Sequence, residues 1–373
     1  MKFHVGIIGA TGFIGTPYRA QIRAASADAE IVALCARRRG PLEDAAREDG
    51  ARFITNDWRE VVEHPDIDLV MVVTPDALHH EVVMACAENR KHMICDKPIG
   101  ANSKEAYDMW SAYKNSGLGH FVPFWTRYIG VFGRAREIVT SGMLGEIRGI
   151  VCRWQNPRPE AMPFTWRDNA ELSSSGSIGD LGSHAYDTVR WITGDEAVRV
   201  VTHARVITPP KPDIGDPNLD EALDWGETHT LGNNEDVRAG TAFDYGSVSI
   251  EFKSGAIGYL MASHARYIRK GLTPDLELHG TKASLGIARL AGQLTIAWPE
   301  KDAEILEVVQ DREPGDDFAQ FAFPGVRQRA ENKGNDHPGL DDGWRAQLFT
   351  DAAALSAKRG TWVELAELDS QIK

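Results

Sequence analysis

The sequence predicts an α/β protein of two domains, a doubly wound parallel sheet followed by a domain with a largely antiparallel sheet. Its 373 residues suit two domains of about 150 residues each. The first 120 residues alternate continuous apolar runs with helical patterns, as expected of parallel strands covered on both faces. After residue 146 the apolar runs become longer and are separated by turns, which is typical of an antiparallel sheet.

Four strands and four helices alternate in the first predicted domain, which we place at residues 1–122. The predicted strands are 5–8, 31–35, 69–73 and 92–95. The predicted helices are 16–25, 41–48, 77–89 and 102–113. Such repetition builds βαβ units with right-handed crossovers.

The second predicted domain covers residues 123–373 and opens with a helix over 130–140, which a glycine ends. Its predicted strands are 147–154, 198–207, 245–252, 256–263, 276–279 and 293–298. We interpret 209–221 and 311–338 as loops or insertions. A closing helix is predicted over about residues 340–357, with packing back toward the first domain as one option.

Composition and charge exclude several classes of function. The net charge of −13 argues against nucleic acid or an anionic membrane as a general partner. No apolar run approaches the roughly 18 residues of a spanning helix. The four cysteines, Cys35, Cys86, Cys95 and Cys152, lack the pairing of a zinc site, so no metal is predicted. We interpret them as buried, reduced thiols of a cytoplasmic protein.

A glycine-rich motif follows the first predicted strand. Residues 9–15 read G-A-T-G-F-I-G, one residue longer in spacing than the G-x-G-x-x-G fingerprint. Glycines between a strand and a helix permit a tight turn and let backbone N–H groups approach a pyrophosphate. We interpret the motif as the dinucleotide-binding loop of a Rossmann domain, with a merely glycine-rich loop as the alternative. The predicted cofactor contacts are Gly9, Thr11, Gly12, Phe13 and Ile14.

An arginine run closes the second predicted strand. About 20 residues past the glycines, NAD-binding domains place an acid on the ribose 2′-hydroxyl. This chain has Ala36 there, followed by three arginines. Guanidinium groups bind a 2′-phosphate bidentately. We therefore predict NADP as the preferred cofactor over NAD, with Arg37 the leading ligand and Arg38 the second, and a solvated basic turn as the alternative.

Two further motifs lie at predicted strand ends, where ligands bind in doubly wound sheets. Thr74 and Pro75 open the segment T-P-D-A-L-H-H-E, and we expect His79 in it to pack against the cofactor. In the tripeptide 96–98, D-K-P, Asp96 and Lys97 are predicted to contact the cofactor, because a lysine there can reach over a nicotinamide ring. A helix N-terminus and a surface turn are the respective alternatives.

The segment 179–187, G-D-L-G-S-H-A-Y-D, carries a candidate general base. Asp180 and His184 are four residues apart, so a helix presents both on one face. Asp187 is positioned three residues further on to orient the histidine ring. Histidine is suited to accept the proton in an alcohol oxidation. A helix cap with a satisfied histidine is the alternative, and a metal pair is disfavoured because no further ligands cluster nearby.

In this order the motifs resemble those of the Gfo/Idh/MocA family of nicotinamide-dependent oxidoreductases. The family's E-K-P corresponds to residues 96–98, with Asp for Glu. Its G-G-x-x-x-D-x-G-x-H-x-x-D segment corresponds to residues 175–187, with Ser for the first Gly. Further matches at 122–127, 141–145, 164–167 and 342–347 extend the resemblance over essentially the whole chain.

The resemblance implies a Rossmann domain, a second α/β domain with a large open sheet, and an active site between them. It implies a dehydrogenase acting on a CH–OH group of a sugar, sugar derivative or cyclitol, in a homo-oligomer such as a dimer or tetramer. His184 would take the hydroxyl proton, Lys97 would stabilise the reacting oxygen, and Asp180 would orient Lys97 or an adjacent hydroxyl. The predicted substrate contacts, for each of which a core or surface role is the alternative, are Trp125, Arg127, Tyr128, Trp166, Arg167 and His264.

Two other functions occur among proteins of this kind. One is an inactive regulator that senses the cofactor, and the other is an NAD-dependent glycosidase of the same fold. The intact set of Lys97, Asp180 and His184 favours an active enzyme over the regulator.

Overall fold

A computed structural model describes residues 2–173, 175–215, 217–232, 236–272, 274–312, 315–333 and 336–372. The chain divides into two compact units. The first comprises Met1–Pro123, Pro217–Glu221 and Glu313–Arg345, and the second comprises Phe124–Asp216, Ala222–Arg312 and Ala346–Lys373. The sequence assigned everything after residue 122 to the second domain, whereas two later segments group with the first unit.

Strands and helices follow the predicted order closely. The strands are β1 (Phe3–Ile8), β2 (Ala29–Cys35), β3 (Phe53–Thr55), β4 (Leu69–Val72), β5 (His92–Cys95), β6 (His120–Phe121), β7 (Ile147–Gln155), β8 (Ala197–Arg205), β9 (Lys211–Pro212), β10 (Val237–Arg238), β11 (Tyr245–Phe252), β12 (Ile257–Ser263), β13 (Leu276–Gly280), β14 (Ser284–Ala288), β15 (Gln293–Ala297), β16 (Glu304–Val308) and β17 (Val363–Glu364). The α-helices are α1 (Gly15–Ala24), α2 (Arg39–Asp49), α3 (Trp58–Val62), α4 (His79–Glu88), α5 (Ser103–Tyr113), α6 (Gly130–Thr140), α7 (Ser183–Thr193), α8 (Leu219–Thr228), α9 (Phe323–Ala330), α10 (Leu340–Arg359) and α11 (Leu365–Ile372).

The first unit is a Rossmann domain, as predicted. Within its described residues, six strands form one sheet in the order β3-β2-β1-β4-β5-β6, and every pairing is parallel. The order reverses beside β1, which lies between β2 and β4. Ligands of doubly wound sheets bind at the carboxyl ends of the strands at this switch point. The four residues of β4 are fully buried, which explains their continuous apolar pattern.

The segment 311–338, predicted to be a loop or insertion, contains a helix of the first unit, so that prediction is wrong there. A π-helical turn (Phe318–Ala322) leads into α9. Phe318 and Phe323 are fully buried, with ring centroids 5.1 Å from Tyr18 and 5.6 Å from Phe3, respectively. The aromatic residues of this stretch therefore pack against the Rossmann unit.

The second unit is built on one large sheet. In its described part, nine strands follow the order β16-β15-β14-β13-β7-β12-β11-β8-β17. All its pairings are antiparallel except that of β7 with β12, which confirms the predicted mostly antiparallel sheet. The sequence missed β14, β16 and the short strands β10 and β17, and the predicted loop 209–221 contains β9 and the first turn of α8.

One face of this sheet carries the core of the second unit. Strand residues such as Ile150, Val248 and Leu260 pack with Phe132 of α6 and Phe349 of α10 in one buried cluster. Burying these side chains stabilises the unit by roughly 1.5–3 kcal/mol each.

The cysteines are free and buried, as predicted. Burial raises the pKa of Cys35 to about 11 and that of Cys152 to about 12, so both are thiols at neutral pH. Among the described residues, no helix has the length and apolar character needed to cross a membrane.

Candidate active site

The motifs of the first unit meet at one edge of its sheet. The N–H groups of Gly9 and Ala10 donate to the Cys35 carbonyl at 2.9 and 3.1 Å, which ties the glycine loop to the end of β2. The Val73 N–H donates to Ile8 O and the Asp96 N–H to Val72 O, both at 2.9 Å. The parallel register therefore brings the ends of β1, β2, β4 and β5 together, as predicted from their order in the sequence.

The glycine loop is shaped to admit a ligand against its backbone. Gly9 has φ +94°, and a Cβ there would lie 2.5 Å from the Val73 carbonyl oxygen. The first turn of α1 has no acidic residue and no side-chain cap. No acceptor for the N–H groups of Phe13 and Ile14 is found in the described part of the chain. Free N–H groups at a helix N-terminus suit the pyrophosphate of a dinucleotide.

Thr74 and His79 take different places at the end of β4. The Thr74 hydroxyl oxygen is buried and has no hydrogen-bond partner among the described residues, so it suits a contact with a bound cofactor. His79 is buried, and its Nδ1 and Nε2 lie 3.0 Å from Pro98 O and 2.8 Å from Thr74 O. Its ring thus holds two strand-end loops together, and its predicted cofactor contact stays a prediction. The bond between Lys97 and Pro98 is cis.

The arginine run carries a contact that the sequence did not predict. Arg37 and Arg38 are exposed after β2, and Arg38 Nη1 donates to Glu221 Oε1 at 2.8 Å. The other oxygen of Glu221 accepts from the Asn218 N–H at 2.8 Å. Partial burial acts to raise the pKa of Glu221, but the bonds from Asn218 and Arg38 outweigh it, so this pKa is lowered. The pattern N-x-x-E of a capping box was the available signal for Glu221.

In the second unit, Asp180 and His184 lie on consecutive helical turns. Asp180 belongs to a π-helical turn (Ile178–Gly182) that continues into α7, where His184 is in the first turn. The histidine ring meets Phe124 edge-on, with centroids 6.0 Å apart. The predicted helix is therefore present, but its start is widened by one π turn. Such turns are frequent at functional sites.

Asp180 contacts two side chains of its own unit. His264 Nε2 lies 2.9 Å and Arg167 Nε 3.7 Å from Asp180 Oδ2. Burial, helped by the charge of Arg158, lowers the pKa of His264 to about 4, although Asp180 acts against this shift. The imidazole is therefore neutral at neutral pH and donates its Nε2–H to the carboxylate. The interaction fixes the direction of Asp180.

Arg158 is a second residue that sequence reasoning missed. The parallel strands β7 and β12 end side by side, with Gln155 opposite Ser263. Just beyond these ends, the Arg158 N–H donates to the His264 carbonyl at 3.1 Å. Burial lowers the pKa of the Arg158 guanidinium to about 10. No local sequence pattern marked this residue, because its neighbour His264 follows a strand far along the chain.

Arg127 forms a buried ion pair with Asp187. It is 6% exposed, and its Nε and Nη2 donate to the two oxygens of Asp187 at 2.8 and 2.5 Å. The pair fixes α7 to the segment around Arg127, and the predicted substrate contact of Arg127 stays a prediction. Asp187, expected to orient the His184 ring, accepts from Arg127 with both oxygens.

The remaining predicted substrate residues are half-buried aromatic and cationic groups. The rings of Trp125 and Tyr128 lie 6.1 Å apart, and the Arg167 guanidinium lies 4.3 Å from the Trp166 ring centroid. Nearby, Lys211 Nζ pairs with Asp168 Oδ1 at 2.6 Å. No group of three or more metal-ligating side chains is present in the described residues.

Comparison with known proteins identifies the family. A model described as an oxidoreductase family with an NAD-binding Rossmann fold matches residues 3–124. The GFO/IDH/MocA C-terminal domain matches residues 132–286. The chain belongs to the Gfo/Idh/MocA family. This confirms the prediction of a nicotinamide-dependent dehydrogenase or reductase.

Two relatives in the Gfo/Idh/MocA family are similar over most of the chain. Levoglucosan dehydrogenase of Pseudarthrobacter phenanthrenivorans is 27% identical over 359 residues, with 88% of this chain and 87% of the relative covered. Myo-inositol 2-dehydrogenase of Thermotoga maritima is 26% identical over 281 residues, with 75% of this chain and 74% of the relative covered.

A solved structure has the same fold. Levoglucosan dehydrogenase in complex with NADH and levoglucosan superposes with a TM-score of 0.81 at 23% identity, covering 98% of this chain and all of that chain.

Proposed function

We propose that the protein oxidises a CH–OH group of a sugar, sugar derivative or cyclitol, with NADP preferred over NAD. The observation that carries this proposal is the Asp180–His264 hydrogen bond of 2.9 Å, which orients a carboxylate one helical turn before His184. The relatives named for levoglucosan and myo-inositol support a polyhydroxylated substrate.

Each of the three candidate catalytic residues would have its own role in the reaction. His184 takes the proton of the substrate hydroxyl, a step that contributes about 10²–10⁴-fold in rate. Lys97 donates a hydrogen bond to the reacting oxygen as its negative charge develops. Asp180, held by His264, orients Lys97 or a neighbouring hydroxyl. When bound, the nicotinamide supplies the acceptor for the hydride.

The cofactor would be held by the glycine loop and the strand ends of the first unit. The free N–H groups of Phe13 and Ile14 would bind the pyrophosphate, and the Thr74 hydroxyl would gain its missing partner. The proposed contacts of this unit also include Gly9, Thr11, Gly12, Pro75, Asp96 and Lys97.

The preference for NADP rests on the end of β2. Buried Ala36 stands where a carboxylate would bind the ribose hydroxyls of NAD, and exposed arginines follow. Arg37 is the leading ligand of the 2′-phosphate. Arg38 is the second, since only one of its five N–H donors is used by Glu221.

The substrate would be bound by side chains of the second unit. The proposed contacts are Trp125, Tyr128, Trp166, Arg167 and His264. Aromatic faces and charged donors together suit a polyhydroxylated ring.

Absorbance of the reduced nicotinamide tests the proposal with NADP or NAD and a panel of sugars and cyclitols. We expect turnover, faster with NADP, and a loss of at least about 100-fold in kcat for His184→Ala and for Lys97→Ala. Variants with near-normal turnover would contradict the catalytic roles. Cofactor binding without turnover would favour the regulator, and glycoside cleavage with retained cofactor and no net reduction would favour the glycosidase.

We further propose a homo-oligomer formed through the sheet of the second unit. The face opposite the core exposes Ile257 (65% exposed) and Tyr259 (36%) on β12. Neighbouring apolar side chains on a sheet face suit burial against a second copy. Light scattering after size exclusion should give a dimer or tetramer, and a double change of Ile257→Lys with Tyr259→Lys should reduce its size.

The cytoplasm is the proposed location, because the four buried thiols suit a reducing compartment. Cell fractionation would test this.

A further inference from the structure

Arg158 stands in the second unit beside the residues that orient Asp180. Its backbone N–H is bonded to His264, whose ring contacts the Asp180 carboxylate. The charge of Arg158 also acts strongly on His264, since it is the largest influence on the histidine pKa after burial. The Arg158 side chain is half-buried, and the bond from its backbone to His264 places the residue beside the proposed substrate contacts.

The carboxylates around Arg158 already face other cations. Asp168 pairs with Lys211 at 2.6 Å, and Asp180 has Arg167 at 3.7 Å and His264 at 2.9 Å. The side chain of Arg158 makes no ion pair or hydrogen bond with any described residue. His264 is neutral at neutral pH. The N–H donors of the Arg158 guanidinium are therefore open to a ligand.

A half-buried cation whose N–H donors have no protein partner is available to an anionic ligand. Charged groups whose pKa is perturbed cluster at functional sites. A guanidinium presents a planar fork that matches a carboxylate with two parallel hydrogen bonds.

We propose that the substrate is a sugar acid, a polyhydroxylated compound whose carboxylate is bound by Arg158. This inference rests on the proposed dehydrogenase function and narrows its substrate class. It makes Arg158 the residue that discriminates the acid from the corresponding neutral sugar.

Matched substrates test the inference. The kcat/KM values are compared for glucose, glucuronate, gluconate and glucose 6-phosphate, and for the galactose series. We expect a carboxylate-bearing member to exceed its neutral parent by at least about tenfold, because a charge-assisted bidentate pair contributes on that scale. A neutral sugar as the best substrate would overturn the inference and leave the dehydrogenase function intact. A phosphate ester as the best substrate would also overturn it.

Variants show whether the discrimination belongs to Arg158. Arg158→Gln should lower kcat/KM for the acid about 10- to 100-fold and change that for the neutral parent less than about threefold. Arg158→Lys should recover part of the loss, because it keeps the charge without the fork. The control is Arg266→Gln, which removes an arginine of the same unit already paired with Glu160 at 2.7 Å. Equal losses with both substrates would mean that Arg158 acts through His264 and Asp180, and would overturn the inference.

Stability and binding give readouts independent of turnover. Because the guanidinium lacks a partner, Arg158→Gln should keep or raise the melting temperature. Sugar acids should raise the melting temperature of the parent protein, and that shift should be lost in Arg158→Gln but kept in Arg266→Gln. These melting-temperature shifts test the binding of sugar acids even if no sugar is oxidised. A lack of oxidation would contradict the dehydrogenase function but not the binding of a sugar acid by Arg158. Absence of any shift from acids would overturn the inference.

Discussion

Glu221 accepts a hydrogen bond from Arg38 at 2.8 Å, although 183 residues separate the two in sequence. The carboxylate is held in place by the Asn218 N–H at the start of α8. An acid therefore stands beside the arginine run at the end of β2, supplied from a distant segment of the chain. A carboxylate at this location repels a 2′-phosphate and limits the proposed preference for NADP.

Replacing Glu221 by glutamine should strengthen the preference for NADP. The change removes the negative charge but keeps a side chain able to accept from Arg38. We expect the KM for NADP to fall about three- to tenfold, since a nearby exposed charge contributes roughly 1 kcal/mol, while the KM for NAD changes little. Initial rates with both cofactors measure this. Glu227→Gln, an exposed position on the same helix, is the control and should leave both values unchanged.

Arg37 should matter more than Arg38 for that preference. We expect Arg37→Ala to raise the KM for NADP at least tenfold with little effect on NAD, because it removes the leading charge on the 2′-phosphate. Arg38→Ala should have a smaller effect on the KM for NADP, because Arg38 is already paired with Glu221. A larger increase in the KM for NADP in Arg38→Ala than in Arg37→Ala would contradict these roles. An equal increase in the KM for NAD would also contradict them.

The strands of the fold were predictable because burial leaves a local pattern. The helix α6 and the strands β5 and β11 end at the predicted residues, since each is marked by its own apolar period and turn signals. The segment around Phe318 and Phe323 failed for the opposite reason. Its aspartates, glycines and prolines dominated the pattern and hid the aromatic residues that pack on the Rossmann unit.

The candidate site was predictable only where a motif is continuous in sequence. Asp180 and His184 share one helical segment, and Gly9 to Gly15 one loop, so their spacing indicated a role. The partners of Arg38, Arg127 and Asp180 come from distant segments. The local sequence pattern gives no information on such contacts. It therefore could not show that Arg127 is paired with Asp187.

Removing Asp187 should strongly destabilise the second unit. Arg127 and Asp187 are both buried, so Asp187→Ala removes the carboxylate that binds the Arg127 guanidinium at two atoms, at a cost of about 3–5 kcal/mol. Urea unfolding measures the free energy of unfolding. The control is Glu307→Gln, which breaks a half-exposed pair with Arg134 and should cost less than about 1 kcal/mol. Similar losses in the two variants would contradict the structural role of the buried pair.

Gly9 should tolerate no side chain. Its φ of +94° and the 2.5 Å approach of a Cβ to Val73 O together require the loop to move. Gly50→Ala is the control, since Gly50 has φ +69° with nothing within 4 Å of its Cβ position. Gly50→Ala should lower the free energy of unfolding by about 1–2 kcal/mol because of backbone strain. Gly9→Ala should lower it clearly more, and titration calorimetry should show a loss of cofactor affinity. Equal effects would show that the close approach is unimportant.

The neutral state of His264 predicts an acid sensitivity of the second unit. Burial lowers its pKa from 6.5 to about 4, with Arg158 and Arg167 acting in the same direction and Asp180 against it. Between these two pH values the unfolded chain binds a proton that the folded chain does not, so stability falls as the pH drops from about 6.5 to 4. The full shift corresponds to about 3 kcal/mol.

His264→Gln separates this contribution from those of other groups. Glutamine can still donate to Asp180 but does not titrate, so the variant should lose less stability than the parent between pH 7 and pH 4. His120, whose pKa burial also lowers, is present in both proteins and cancels in the difference. Urea unfolding at several pH values gives the comparison. If parent and variant lose the same free energy of unfolding on acidification, folding does not lower the pKa of His264. The assignment of a neutral imidazole that donates to Asp180 would then be wrong.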